Sequence, residues 1–435
     1  MPTTPRFDRG HSDDLMSFLT AGPSPYHAAA AAAERLEKAG FRQLSETDRW
    51  DDTTGGHYVL RGGALMAWYV PPGARAHTPY RIVGAHTDSP NLRVKPRPDF
   101  GAHGWRQIAM EVYGGPLLNS WLDRDLGLAG RLSLRDGSTR LVTVDRPLMR
   151  VPQLAVHLDR SVSSDGLKLD KQRHLQPLWG LGEPHEGELI RFVEDAAGLD
   201  AGSVTGWDLM AHPVEPPTRL GRDRELIAGP RMDNLISVHA GTAALRAVAA
   251  PGAELPYIPV LAAFDHEETG SQSDTGAEGP LLGTVLERSV YARGGGYEDR
   301  ARSFAGTVCL SSDTGHAVHP NYPERHDPTH HPVAGGGPIL KVNVNNRYAT
   351  DGGGRAVFVA ACERAGVPYQ SFVSHNSMPC GTTIGPITAA RHGITTVDIG
   401  VPIVSMHSAR ELCSADDPHM LAGALAAFLE GTDAS

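Results

Sequence analysis

Three apolar runs stand out along the chain as short buried strands. They are "ALMAWYV" (64–70), "YRIVGAH" (80–86) and "YIPVLAAF" (257–264), each β-rich or continuously apolar and bounded by polar or glycine turns. "GTVCL" (306–310) and "ITTVDIG" (394–400) repeat the pattern further on. Between them lie stretches with helical texture. "SPYHAAAAAAERLEKAG" (24–40) has a Ser24-Pro25 start, an alanine body and a Gly40 stop, which predicts a helix. "LISVHAGTAALRAVAA" (235–250) and "GRAVFVAACERAG" (354–366) predict two more. From about Arg93 to Gly229 the pattern changes. "RQIAMEVYGG", "LAGRLSLRDGSTRLVTVD" and "LMRVPQLAVHLD" are short strands broken by glycine turns, and "PLWGLGEPHEGE" reads as a loop. The expected fold is α/β, a domain built from 1–93 and 230–435 and interrupted by a β-rich insertion at 94–229. "ARGGGYEDRARS" (292–303) and "HHPVAGGGP" (330–338) read as loops.

Length and charge narrow the function. A chain of 435 residues suits two or three domains, and a net charge of −10 argues against a nucleic-acid protein. No apolar stretch reaches spanning length, so no membrane partner is expected. Four widely spaced cysteines and no visible leader fit reduced thiols in the cytoplasm. No phosphate-binding loop and no G-x-S-x-G elbow occurs. Cys380 lacks the local signature of a nucleophile.

What remains is a set of polar residues at the ends of predicted strands, where open α/β sheets place ligands. "FDHEETGS" (264–271) is not an H-E-x-x-H helix, because Gly270 stands where the second histidine would be. It still delivers Glu267 and Glu268 at a strand end. His86 and Asp88 end another strand, two residues apart and on one side of extended backbone. Asp233 sits in a turn before a helix, Asp313 with His316 and His319 follows "GTVCL", and His407 follows "VPIV". Taken alone, each of these is more often a structural or solvated side chain than a site. His57, His77, His103, His239, His330 and His331 are read that way. Recurrence at five element ends is the signal. His, Asp and Glu in this mixture suit two divalent cations sharing a carboxylate, with one of the adjacent glutamates as a ligand and the other as a base.

These stretches match a known family. "GPSPYHAAA", "GAHTDSPNLRVKP", "NSWLDRDLGLAGR", "PRMDNL", "DHEETGS", "DTGHAVHPNYPERH", "GPILKVN", "MPCGTTIGP" and "MHSARE" occur in one order, and the chain resembles the aspartyl aminopeptidases almost end to end. The resemblance implies a doubly wound catalytic domain with a mixed central sheet, interrupted by a β-rich dimerisation domain. It implies two zinc ions held by His86, Asp233, Glu268, Asp313 and His407, with Asp233 bridging across a cis Asp233–Asn234 bond. Glu267 becomes the general base and Asp88 the carboxylate that orients His86. Lys341 becomes the cation that reads an acidic N-terminal side chain, with His316 also a substrate-binding candidate. His157, on a strand of the insertion, is implied to reach a partner's active site within a dodecamer built from dimers, contacting substrate or metal. One departure is that relatives often carry Asn in place of His266. The competing readings are another dizinc hydrolase on this fold (a neutral-residue aminopeptidase, carboxypeptidase or deacylase) and a non-catalytic assembly protein.

Overall fold

The period-two burial of the apolar runs organises the molecule. In the strand Ile258–Phe264, Ile258, Val260, Ala262 and Phe264 enter one core, while Leu261 and Ala263 enter the other. Side chains of successive strand residues point to opposite faces, so a strand apolar at every position must be covered on both sides. The computed structural model describes residues 5–51, 54–250 and 252–431. It places this strand inside a nine-stranded sheet of mixed direction. Ile258–Phe264, Tyr80–His86, Val308–Ser312 and Thr395–Gly400 run parallel, and Ala64–Val70 and Ile339–Val342 pair antiparallel at either side. One face is covered by the helices Arg9–Ala21, Pro25–Glu37, Met232–Val248, Gly352–Ala365 and Asp417–Glu430. Leu281–Ala292, Tyr297–Ala305 and Ile384–His392 lie on the other.

Local sequence explains the predicted helices. Ser24 accepts the His27 amide and Pro25 opens the first turn, which satisfies an orphan donor and fixes the entry angle. Two segments read as loops contain regular elements. Tyr297–Ala305 starts after three glycines and is held by Asp299, whose carboxylate accepts the Gly296 amide. The stretch 177–188 holds the strand Leu178–Leu181, and the helix Glu188–Ala196 starts at its last residue.

The β-rich insertion has its own six-stranded antiparallel sheet, drawn from Asn91–Ala102 through Val204–Pro213, and its own core around Leu92, Leu128 and Leu209. The expected limits of 94–229 differ from this pairing at both ends. Strands Thr218–Leu220 and Leu226–Gly229 join Glu411–Ser414, Pro402–Val404 and Gly315–His316 in a third, small sheet. That sheet carries the loops of Asp233 and His407 toward the ends of the parallel strands.

Candidate metal centre

The parallel strands end together, and the chain places His86, Asp233, Glu267, Glu268, Asp313 and His407 in one cluster there. His86 is the last residue of Tyr80–His86, Glu267 and Glu268 follow Ile258–Phe264 in a short 3-10 turn, and Asp313 follows Val308–Ser312. Gly400 is required beside it, because a Cβ there would lie 1.6 Å from the Asp313 carbonyl oxygen. Asp233 enters through a left-handed Arg231 (φ 59°) and a cis Asp233–Asn234 bond, as the resemblance implied.

Hydrogen bonding fixes both imidazoles in the same sense. His86 Nδ1 donates to the Asp88 carbonyl at 3.0 Å and His407 Nδ1 donates to the Gly115 carbonyl at 3.0 Å. With Nδ1 spent as a donor, the Nε2 atom of each ring faces the cluster, and it offers a lone pair there once its proton is displaced. His86 Nε2 is 3.4 Å from Asp233 Oδ1 and 3.7 Å from Asp313 Oδ1. His407 Nε2 is 3.3 Å from Asp233 Oδ2 and 3.4 Å from Glu268 Oε2. These gaps exceed normal hydrogen-bond lengths. They match the spacing of about 3.3 Å between ligand atoms that each stand about 2.0–2.1 Å from a tetrahedral zinc.

Charge points the same way. Burial pushes the Glu267 carboxyl up to about 8, and Asp313, Asp88 and Asp233 add to this against the opposing pull of His86. Glu268 is pushed well up, first by burial and then by Asp233. Burial opposes charge on His407, yet Asp233 and Glu268 outweigh it and push the ring up to about 10. Asp233 Oδ1 and Glu268 Oε1 are buried without a hydrogen-bond partner among the described residues. Facing lone pairs, crowded carboxylates and orphaned oxygens are the donor set of a divalent cation, and the residues fit zinc.

Asp88 meets His86 through both its main chain and its side chain. His86 Nδ1 donates to the main-chain carbonyl, and the carboxylate Oδ1 lies 3.4 Å from the same nitrogen. The carboxylate accepts the Glu267 and Glu268 amides, both at 3.1 Å, and the Tyr113 hydroxyl at 2.6 Å. Sequence reading also passed over Glu411. Buried at the end of "MHSARE", it accepts the Asp233 amide at 3.0 Å and the His407 amide at 2.8 Å, tying two loops together. Its place four residues after His407 was the available signal. Tyr113 had none.

The remaining candidates lie around this cluster. Lys341 is 2% exposed, donates to the Thr314 carbonyl at 2.7 Å and stands 3.9 Å from Asp313 Oδ2. His316 is exposed on Gly315–His316, its ring 6.2 Å from that of Phe372. His157 occupies an exposed turn rather than a strand, with no hydrogen bond or ion pair to the cluster among the described residues. Leu154, Val156 and Leu158 around it are exposed too. Their alternation looks like a strand, but neither face is covered.

Comparison with known proteins agrees with the chemistry. The family model of Peptidase M18, aminopeptidase I zinc metalloprotease, matches residues 18–429. A probable M18 family aminopeptidase 2 of Streptomyces coelicolor is 80% identical over 431 residues, 99% of this chain and 100% of the relative. The crystal structure of prApe1 superposes with a TM-score of 0.91 at 30% identity, covering 97% of this chain and 94% of that one. The S. cerevisiae mApe1 dodecamer gives 0.85 at 28% identity, covering 97% and 96%. The chain belongs to the M18 family of zinc metalloproteases and is a zinc-dependent aminopeptidase.

Proposed function

We propose that the enzyme holds two zinc ions and removes acidic residues, Asp or Glu, from peptide N-termini. The observation that carries the pairing is the Asp233 carboxylate, whose two oxygens face different imidazoles at 3.4 and 3.3 Å. His86 and Asp313 would complete one position, and Glu268 and His407 the other. Bound zinc supplies Lewis acidity that polarises the scissile carbonyl and acidifies the attacking water.

The protein groups divide the remaining work. The Glu267 side chain is 15% exposed against 5% for Glu268, and it makes no side-chain hydrogen bond among the described residues. It is therefore free to take a proton from the water and return it to the leaving amine. Asp88 holds both glutamate amides and so fixes which side chain turns inward. Lys341 is the buried cation available for a substrate carboxylate, with His316 exposed on the neighbouring strand as a further substrate contact.

The likeness to the mApe1 dodecamer supports a homo-oligomer built from dimers through the insertion, taken here as the assembly domain between 1–93 and 230–435. In that assembly the exposed His157 of the partner subunit would stabilise the developing oxyanion. The four unpaired cysteines support a cytoplasmic setting. Among the described residues no helix is long and apolar enough to cross a membrane.

The test is one panel of aminoacyl-anilides carrying Asp, Glu, Leu, Lys and acetyl-blocked Asp, run before and after chelation, with zinc counted per chain. Expected are two zinc ions, preference for unblocked Asp and Glu, and loss of activity on chelation. Cleavage of the blocked substrate, or a stoichiometry of one, would overturn the reading.

A further inference from the structure

The far side of the metal centre is supported by the inserted sheet rather than by the catalytic one. Tyr113 is the last residue of Trp105–Tyr113, and its ring lies under the Arg93 guanidinium, 3.7 Å from ring centroid to Cζ. Its hydroxyl donates to Asp88 Oδ2; Asp88 in turn accepts both glutamate amides, and its Oδ1 lies 3.4 Å from His86 Nδ1. The chain then crosses the cluster. At Gly114 (φ 71°) a Cβ would lie 3.2 Å from the Glu268 Cβ, a tight approach on a left-handed backbone that favours glycine. The Gly115 carbonyl receives His407 Nδ1–H, the Leu117 amide donates to the His407 carbonyl at 2.9 Å, and Ser120 Oγ accepts the Ala409 amide at 2.8 Å. Residues 113–120 thus form a strap over Glu268 and His407, while Asp313 receives no hydrogen bond from it.

We propose that Tyr113 is a positioning residue and that this strap sets the cation affinity of the Glu268–His407 side of the centre. Groups that orient metal ligands from behind are typically worth about 10–100-fold in affinity or activity. The strap belongs to the domain taken as the assembly domain, so it is the physical link by which that domain acts on the chemistry. The inference rests on the two-cation reading above.

The test titrates the intact, metal-stripped protein with zinc against a chromogenic chelator, following the two uptake steps separately. Tyr113→Phe keeps the ring under Arg93 and removes only the hydroxyl; Gly114→Ala displaces the strap. Gly104→Ala is the control, since Gly104 has a similar left-handed backbone (φ 80°) in the same sheet with open space around it. Expected is a 10–100-fold weakening of one step in Gly114→Ala, with the other step unchanged, a weakening of at least that step in Tyr113→Phe, and no change in the control. Excess zinc should restore turnover to both variants, which damage to the fold alone would not allow. Wild-type titration of both variants, weakening of the other step in Gly114→Ala, or an equal effect of Gly104→Ala overturns the inference. Should Tyr113→Phe misfold by circular dichroism, Gly114→Ala decides alone. A wild-type chain that takes up one cation instead defeats the two-cation reading, and the strap then stands or falls on whether Tyr113→Phe weakens that single step.

Discussion

Replacing Lys341 with Met separates two uses of a buried cation. The ammonium is 2% exposed and gives one hydrogen bond to the Thr314 carbonyl. Asp313 Oδ2, at 3.9 Å, is beyond hydrogen-bond length but close enough to feel the charge. An ammonium has three donors, so capacity remains for a substrate carboxylate. A hydrogen bond to a charged group is worth about 1.5–3 kcal/mol. At about 1.36 kcal/mol per tenfold, Lys341→Met should lower kcat/KM for Asp- and Glu-anilides about 10–150-fold relative to Leu-anilide. The measurement is kcat/KM on all three substrates, with zinc content determined on the same samples. Equal losses on acidic and neutral substrates would refute the specificity role. Equal losses accompanied by zinc loss would assign Lys341 to the support of Asp313 instead.

Glu267→Gln should retain zinc yet lose about 10²–10⁴-fold in kcat, whereas Glu268→Ala should lose zinc as well as rate; metal analysis of purified variants tells the roles apart, and zinc loss from Glu267→Gln would reverse them. Inactive His157→Phe and Glu267→Gln chains, unfolded and reassembled together, should regain activity, since a mixed pair rebuilds one complete site; no recovery despite proven co-assembly would place His157 outside catalysis. Acid should weaken the fold through His11, which packs against His239 with ring centroids 4.4 Å apart and is pulled down to about 2, first by burial and then by His239. Because the folded pKa lies below the unfolded value of about 6.5, the stability is fully present above that pH and is lost as pH falls below it, by about 2 kcal/mol at pH 5. His11→Phe should flatten Tm between pH 7 and 5, and an unchanged slope would show that another group titrates.

The sequence revealed whatever was written into local pattern. Continuous apolar runs exposed the doubly covered strands, and Ser24-Pro25 marked a helix start, because both signals act within a few residues. The clustering of the candidate residues could be read for the same reason: a His or carboxylate directly after an apolar run sits where the sheet ends. Patterns failed where local cues conflicted with three-dimensional cover. "LAVHL" alternates as a strand does, yet its side chains are largely exposed on both sides among the described residues. The glycines at 294–296 concealed the helix Tyr297–Ala305. The supports of the site were out of reach for another reason. Tyr113 and Asp88, or Glu411 and Asp233, meet only through pairing of distant segments.

The order of the ligands along the chain bears on when this enzyme becomes dangerous to other proteins. His86 comes early, while His407 and its brace Glu411 come after every strand of the central sheet. A ribosome delivers residues in that order, and domains form as their parts emerge. The inserted sheet at 91–213 would therefore be ready well before the cutting machinery closes around Asp233. An unfinished chain, however well its first half has folded, is still not a peptidase.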